Sequence, residues 1–128
     1  MNINEVSSTS LSFVGDAYYT LMVRNYYVSK GYGTGKKLQE MCNKYNSAKG
    51  QMKTFNRLNN NNFFNDEELN SFKRGRNAIS HIPKNGDLLS YQIASGIEAI
   101  VGYLYLSNNQ TRLDELFNEI FKGGIENE

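Results

Sequence analysis

The feature that most constrains the fold is a long apolar stretch, Leu88 to Leu106, which contains one charged residue, Glu98. As an α-helix this stretch would be apolar around most of its circumference, so it would have to be buried. Proline occurs once, at Pro83, and the apolar-polar alternation of half-buried strands is nowhere sustained. The sequence therefore predicts an all-α fold built around one central helix, from about Asp87 to Leu106.

Five further helices are expected around this central one, in a single domain with its core at about residues 8–122. The first helix should begin near Ser7 to Ser10. Its predicted core-facing stripe has helical spacing and consists of Leu11, Val14, Tyr18, Leu21 and Met22. The other four are expected around residues 38–45, at 47–58, from the cap at Asn65 to about Ala78, and from Thr111 to about Phe121. Residues 59–62 are predicted to be a loop and residues 123–128 a frayed tail.

Two carboxylates stand alone in long uncharged segments. Asp16 is the only charged residue between Glu5 and Arg24, and Glu98 is the only one between Asp87 and Arg112. Removing an isolated carboxylate from water costs several kcal/mol unless a cation, a proton or hydrogen-bond donors compensate it. A shared divalent metal ion would serve both groups. Tyrosine hydroxyls, or the guanidinium of Arg76, would be structural partners instead.

Small residues surround both carboxylates. Ser95, Gly96, Ala99 and Gly102 lie around Glu98, and Gly15 and Ala17 flank Asp16. Small side chains let two helices approach closely, so we expect the first helix to pack on the central one and bring together carboxylates 82 positions apart. Carboxylate oxygens suit Mg²⁺, which binds through one or two carboxylates, several waters and substrate phosphate oxygens.

The charge is distributed unevenly, although the formal net charge is only +1. Between Arg24 and Lys84 there are 12 basic and four acidic residues, whereas the flanks hold two basic and nine acidic residues. A basic central segment of this kind can bind phosphates. Alternatively, it can be a solvated surface whose charge is unevenly distributed.

The chain is expected to be cytoplasmic and not to enter a membrane. Cys42 is the only cysteine, and the N-terminus has no basic and apolar pattern typical of a signal peptide. Asp16 and Glu98 interrupt the two best candidates for a membrane-spanning helix.

Five segments together carry a family resemblance. The first and last are Val14-Gly15-Asp16-Ala17 and the stretch from Ile97 to Leu106, which resemble the two halves of the ribonuclease III catalytic domain. The segments at residues 46–51, 73–78 and 83–87 resemble the Mini-ribonuclease III branch, which lacks the double-stranded RNA-binding domain. The resemblance covers about Leu11 to Phe121.

This resemblance implies an all-helical homodimer that hydrolyses both strands of duplex RNA with Mg²⁺, for which Mn²⁺ can substitute. The dimer interface is expected to be lined by aromatic residues of the first helix, namely Phe13, Tyr19, Tyr26 and Tyr27. Asp16 and Glu98 correspond to the catalytic and metal-binding carboxylates of the family. The Mini branch implies maturation of large-subunit (23S) ribosomal RNA precursors; a requirement for a large-subunit ribosomal protein is left open. The larger family has additional carboxylates where this chain has Thr9, Ser12 and Ser95. Their absence puts a tightly bound second metal ion in doubt.

Double-stranded RNA would have to be held by this domain itself, mainly through phosphates and the shape of the A-form helix. The predicted RNA-binding residues are Lys49, Lys53, Lys73, Arg74, Arg76, Asn77 and Lys84. The same role is expected for other basic residues on the two short helices after the first, namely Lys36, Lys37, Lys44 and Arg57. For any single lysine, plain solvation is the alternative.

Two hypotheses follow. The first is a metal-dependent endoribonuclease that cleaves double-stranded RNA, and the second is a non-cleaving helical dimer that binds structured RNA or a ribosomal precursor. The sequence favours the enzyme, because a simple binding module has no need to bury two lone carboxylates.

Overall fold

The computed structural model describes residues 1–81, 84 and 86–123. After a 3-10 turn at Ile3–Glu5, the helices are α1 (Ser8–Ser29), α2 (Gly35–Asn46), α3 (Ala48–Asn60), α4 (Asp66–Asn77), α5 (Leu88–Leu106) and α6 (Gln110–Lys122). No strand occurs among these residues, so the all-α prediction is confirmed. Ile82, Pro83, Asn85 and residues 124–128 lie outside the described part of the chain, and the last of these ranges includes most of the predicted tail.

Helix α5 is the centre of the bundle, as predicted. Eleven of its 19 residues are buried, and α1, α3 and α4 pack around it. Helix α6 completes the core through Leu113, Leu116, Phe117 and Ile120. In the described residues, no helix is both long and apolar enough to cross a membrane.

Side chains fix the helix starts. Ser7, Thr34, Ser47, Asp87 and Asn109 each accept a hydrogen bond from a backbone N–H in the first turn of the helix that follows. Before α4, Asn65 and Glu68 form the predicted capping box. Glu68 is buried and also accepts two hydrogen bonds from the Arg112 guanidinium, at 2.7 and 2.9 Å, which ties α4 to α6.

The buried face of α1 differs from the predicted one. Its buried residues are Leu11, Gly15, Tyr19, Val23 and Tyr27, whereas Leu21 is exposed and Val14, Tyr18 and Met22 are half-buried. The physical reason is that α1 approaches α5 through Gly15, which has no apolar side chain and therefore did not count toward the predicted stripe.

Candidate active site

Helices α1 and α5 cross at a contact so close that only glycine fits at two positions. A Cβ atom on Gly15 would overlap the carbonyl oxygen of Glu98, and a Cβ atom on Gly102 would overlap that of Leu11. The predicted close packing of these two helices is therefore confirmed. Because Asp16 follows Gly15 in sequence, the same contact brings Asp16 and Glu98 together.

The Asp16 and Glu98 side chains are hydrogen-bonded to each other. Glu98 is half-buried, whereas Asp16 is exposed, so the expectation that both carboxylates are removed from water is corrected for Asp16. The pKa of Glu98 is raised from 4.5 to about 8: burial is the largest cause, the hydrogen bond and negative charge of Asp16 act in the same direction, and a hydrogen bond from Gln51 opposes them. Without a cation the pair therefore holds a proton at neutral pH. A metal ion binding both carboxylates would take the place of that proton.

A cleft of about 480 Å³ opens above the two carboxylates. Its walls come from α1, α3, α5, the end of α2 and the residues after α4, and they include Ser12, Asn46 and Gln51. Asn46 Oδ1 is buried and has no hydrogen-bond partner among the residues that the structure describes. The cleft thus combines two carboxylates with an unsatisfied amide oxygen. These oxygen atoms suit the coordination of Mg²⁺, or hydrogen bonds from the waters around the ion. In the described ranges no third Asp, Glu, His or Cys joins the pair, so a bound ion would keep much of its water.

Comparison with known proteins assigns this fold to a family. Residues 9–109 match the family model of the ribonuclease III domain. The chain belongs to the ribonuclease III domain family. It is 42% identical over 120 residues to Mini-ribonuclease 3 of Staphylococcus aureus, covering 93% of this chain and 90% of that protein. It is 38% identical over 119 residues to Mini-ribonuclease 3 of Enterococcus faecalis, covering 92% of this chain and 90% of that protein.

A solved structure agrees with this assignment. The X-ray structure of a Fusobacterium nucleatum protein superposes with a TM-score of 0.83 at 29% identity, covering 95% of this chain and 97% of that one. The predicted Mini branch is therefore confirmed, and the chain is a ribonuclease III family endoribonuclease that acts on double-stranded RNA. Of the two hypotheses raised by the sequence, the enzyme is the correct one.

Two serines, Ser12 and Ser95, lie at positions where the family resemblance leads one to expect carboxylates, and both have structural partners. Ser12 Oγ donates to the carbonyl oxygen of Ser95 at 2.9 Å, and Ser95 Oγ donates to that of Gly75 at 2.9 Å. Each hydroxyl therefore donates its single proton to a backbone carbonyl oxygen of another helix. This chain uses the two positions to join α1, α5 and α4.

The predicted RNA-binding residues fall into separate groups. Lys49 and Lys53 are exposed on α3, where Lys49 immediately follows Ala48 of the cleft wall. Lys73 and Arg76 border a different groove, lined by Phe55, Phe72 and Leu89, which shares no lining residue with the carboxylate cleft. Lys84 is exposed between α4 and α5.

The cluster at the end of α4 has partners within the chain. Arg74 Nη2 donates to the carbonyl oxygen of Val6 at 2.7 Å. Arg76 Nε donates to Asn77 Oδ1 at 3.3 Å, and its guanidinium lies 5.8 Å from the centre of the Phe72 ring. Their exposed surface still leaves Arg74 and Asn77 accessible to RNA phosphates. Among the described residues, Asp16 and Gln51 are hydrogen-bond partners of Glu98.

Arg57 makes structural hydrogen bonds that the amino-acid sequence did not indicate. Its two terminal nitrogens donate to the carbonyl oxygens of Glu119 and Ile120, at 3.2 and 2.8 Å. It therefore satisfies backbone carbonyls in the last turn of α6.

Gln51 is the site residue that sequence reasoning missed. It lines the cleft, and its Nε2 donates to Glu98 Oε2 at 3.3 Å. A lone glutamine in a polar segment carries no sequence signal of such a contact, which arises only when α3 packs on α5.

Proposed function

We propose that Asp16 and Glu98 bind Mg²⁺ and that the enzyme cleaves both strands of duplex RNA, leaving 5′-phosphate and 3′-hydroxyl ends. The observation that supports this proposal is the pairing of Asp16 and Glu98 in one cleft, where the close contact of α1 with α5 brings the two carboxyl groups together. When bound, the ion would lower the pKa of an attacking water and offset charge on the scissile phosphate. Asp16 and Glu98 hold the ion at the cleft, and Mn²⁺ can substitute for Mg²⁺.

RNA is held mainly by its backbone. Lys49 and Lys53 are four residues apart on α3, so they lie on one face of that helix beside the cleft. Lys73, Arg74, Arg76, Asn77 and Lys84 extend the basic surface past the end of α4. Such contacts recognise the spacing of phosphates in an A-form duplex and give little specificity for base sequence.

A homodimer supplies one carboxylate pair for each strand. On α1, the face opposite the core exposes Phe13, Leu21 and Val28, at 79%, 61% and 59% of their surface. These residues are two turns apart and form an apolar stripe, which a second copy can cover around a C₂ axis. Phe13 was expected in this interface from the sequence. Tyr19 and Tyr27 were also expected there, but both are completely buried in the core, so their assignment is corrected; Tyr26 is half-buried and stacks on Phe121.

The proposed substrate is a precursor of large-subunit (23S) ribosomal RNA. The experiment incubates the purified protein with a duplex from that precursor, an unrelated duplex and a single strand, each with Mg²⁺ or with EDTA. We expect cuts in both strands of the duplexes, only with Mg²⁺, and faster cleavage of the precursor. Equal cleavage rates on the two duplexes, both in the presence and in the absence of a large-subunit ribosomal protein, would contradict the substrate assignment. Efficient cutting in EDTA would contradict the metal assignment.

A further inference from the structure

The side chain of Gln51 is buried, with only 2% of its surface exposed, and it faces the Glu98 carboxyl group. A buried amide is costly unless its polar atoms are hydrogen-bonded. The partner of its Nε2 is Glu98 Oε2, at 3.3 Å. A residue that only filled the interface between α3 and α5 could be apolar, so the amide at this position needs another explanation.

Local structure holds Gln51 in place. The Ser47 side chain accepts a hydrogen bond from the N–H of Gly50 at 3.0 Å, and the Gln51 N–H donates to the carbonyl oxygen of Ser47 at 2.9 Å. Gly50 packs so tightly against the end of α2 that a Cβ atom there would overlap the carbonyl oxygen of Lys44. The first turn of α3 is therefore fixed against both α2 and α5, and the amide has a defined position.

We infer that Gln51 is a positioning residue, which sets the orientation of the Glu98 carboxylate for metal binding through the hydrogen bond from Nε2 to Oε2. This inference rests on the proposed function, in which Glu98 holds the ion. The terminal torsion of a glutamate is broad and has no strongly preferred angle, so a partner is needed to define the plane of the carboxylate. Gln51 holds one oxygen from the α3 side, and Asp16 contacts the same carboxyl group from the α1 side.

A neutral amide suits this task better than a cationic side chain. A lysine or arginine at the same place would also orient the carboxylate, but its charge would offset the charge that attracts the metal ion. An amide N–H supplies direction without neutralising Glu98. Groups that orient metal ligands in this way typically change metal affinity or activity roughly 10- to 100-fold when removed.

The test replaces Gln51 by methionine, which has nearly the same length and volume but cannot donate. Gln92→Met is the matched control, because the half-buried Gln92 amide donates to the carbonyl oxygen of Ile79 at 3.2 Å and Gln92 is not among the described residues that line the carboxylate cleft. Mn²⁺ binding to the RNA-free protein is measured by calorimetry, duplex RNA affinity by anisotropy in EDTA, and cleavage across a Mg²⁺ series.

We expect Gln51→Met to weaken Mn²⁺ binding roughly tenfold or more, to raise the Mg²⁺ concentration that gives half-maximal cleavage, and to leave RNA affinity in EDTA unchanged. Gln92→Met should match the wild type in all three measurements. If Gln51→Met fails to fold, Gln51→Asn keeps an amide but is one methylene too short to reach Glu98, and it should show the same metal defect.

Wild-type Mn²⁺ affinity and an unchanged Mg²⁺ midpoint in a folded Gln51 variant would overturn the inference and leave Gln51 as a packing residue. If the wild-type protein itself neither binds Mn²⁺ nor cleaves duplex RNA, the proposed function fails, and that result is distinct from the failure of this inference.

Discussion

Gly15→Ala tests whether the close crossing of α1 and α5 builds the active site. The added methyl group would overlap the carbonyl oxygen of Glu98, a backbone atom that cannot rotate away, so the two helices must move apart. Overpacking of this kind costs about 3 kcal/mol, and the better helix propensity of alanine returns about 1 kcal/mol. The net loss of about 2 kcal/mol corresponds to a fall in melting temperature of roughly 7 °C for a chain of this size.

The effect on cleavage should exceed the effect on stability. Asp16 is the next residue after Gly15, so separating the helices separates the two carboxylates. A misplacement of about 1 Å can lower a rate on the order of 100-fold, and we expect a loss of that size at a temperature where the variant is folded. Melting followed by circular dichroism, and initial rates on a duplex RNA, measure the two effects.

Gly35→Ala is the control, because a Cβ atom at Gly35, the first residue of α2, would meet nothing within 4 Å. It should leave stability and cleavage unchanged or slightly improved. If Gly15→Ala melted and cleaved like the wild type, the glycine contact would not position the carboxylates, and the reasoning would be refuted.

Three further predictions concern the proton, the interface and the basic surface. The metal-free protein should lose about 2–4 kcal/mol of stability as pH rises from about 4.5 through 8, because Glu98 keeps its proton to higher pH in the folded than in the unfolded chain. Thermal melts in EDTA should show that Glu98→Gln removes this loss, and a wild-type stability that does not change with pH would contradict the prediction. Leu21→Glu should give a monomer by light scattering, whereas a wild type that is monomeric at micromolar concentration yet cuts both strands fully would exclude the proposed dimer. Replacing Lys73, Arg74 and Arg76 by alanine should lower the slope of log affinity against log salt by roughly one unit for each lost phosphate contact. An unchanged slope in this triple variant would mean that the three side chains do not touch RNA. Arg57→Ala should lower only the melting temperature.

Much of the helical framework could be predicted from the sequence, since local patterns determine it. The uninterrupted apolar stretch marked α5 as the central helix, and Asn65 with Glu68 marked the start of α4. The isolation of Asp16 and Glu98 among uncharged residues singled out these two carboxylates, although burial, the reason given for pairing them, applies in the fold to Glu98 and not to the exposed Asp16.

The remaining features depend on contacts between elements that are distant in sequence. The buried face of α1 is centred where Gly15 meets α5, and a count of apolar side chains misses a glycine. Gln51 and Arg57 are ordinary polar residues of α3, and they gain their roles from Glu98 and from the end of α6. Ser12 and Ser95 suggested only a missing carboxylate, whereas in the fold they join α1, α5 and α4.

The most direct test of the central claim, that Asp16 and Glu98 act as one metal-binding catalytic unit, is duplex RNA cleavage at saturating Mg²⁺ by Asp16→Asn, Glu98→Gln and the double variant. Circular dichroism should show that all three fold. Each single substitution should abolish cleavage, and the double variant should lose little more, as expected for groups that work together. Near-normal cleavage by either single variant would remove that residue from the site and contradict the claim.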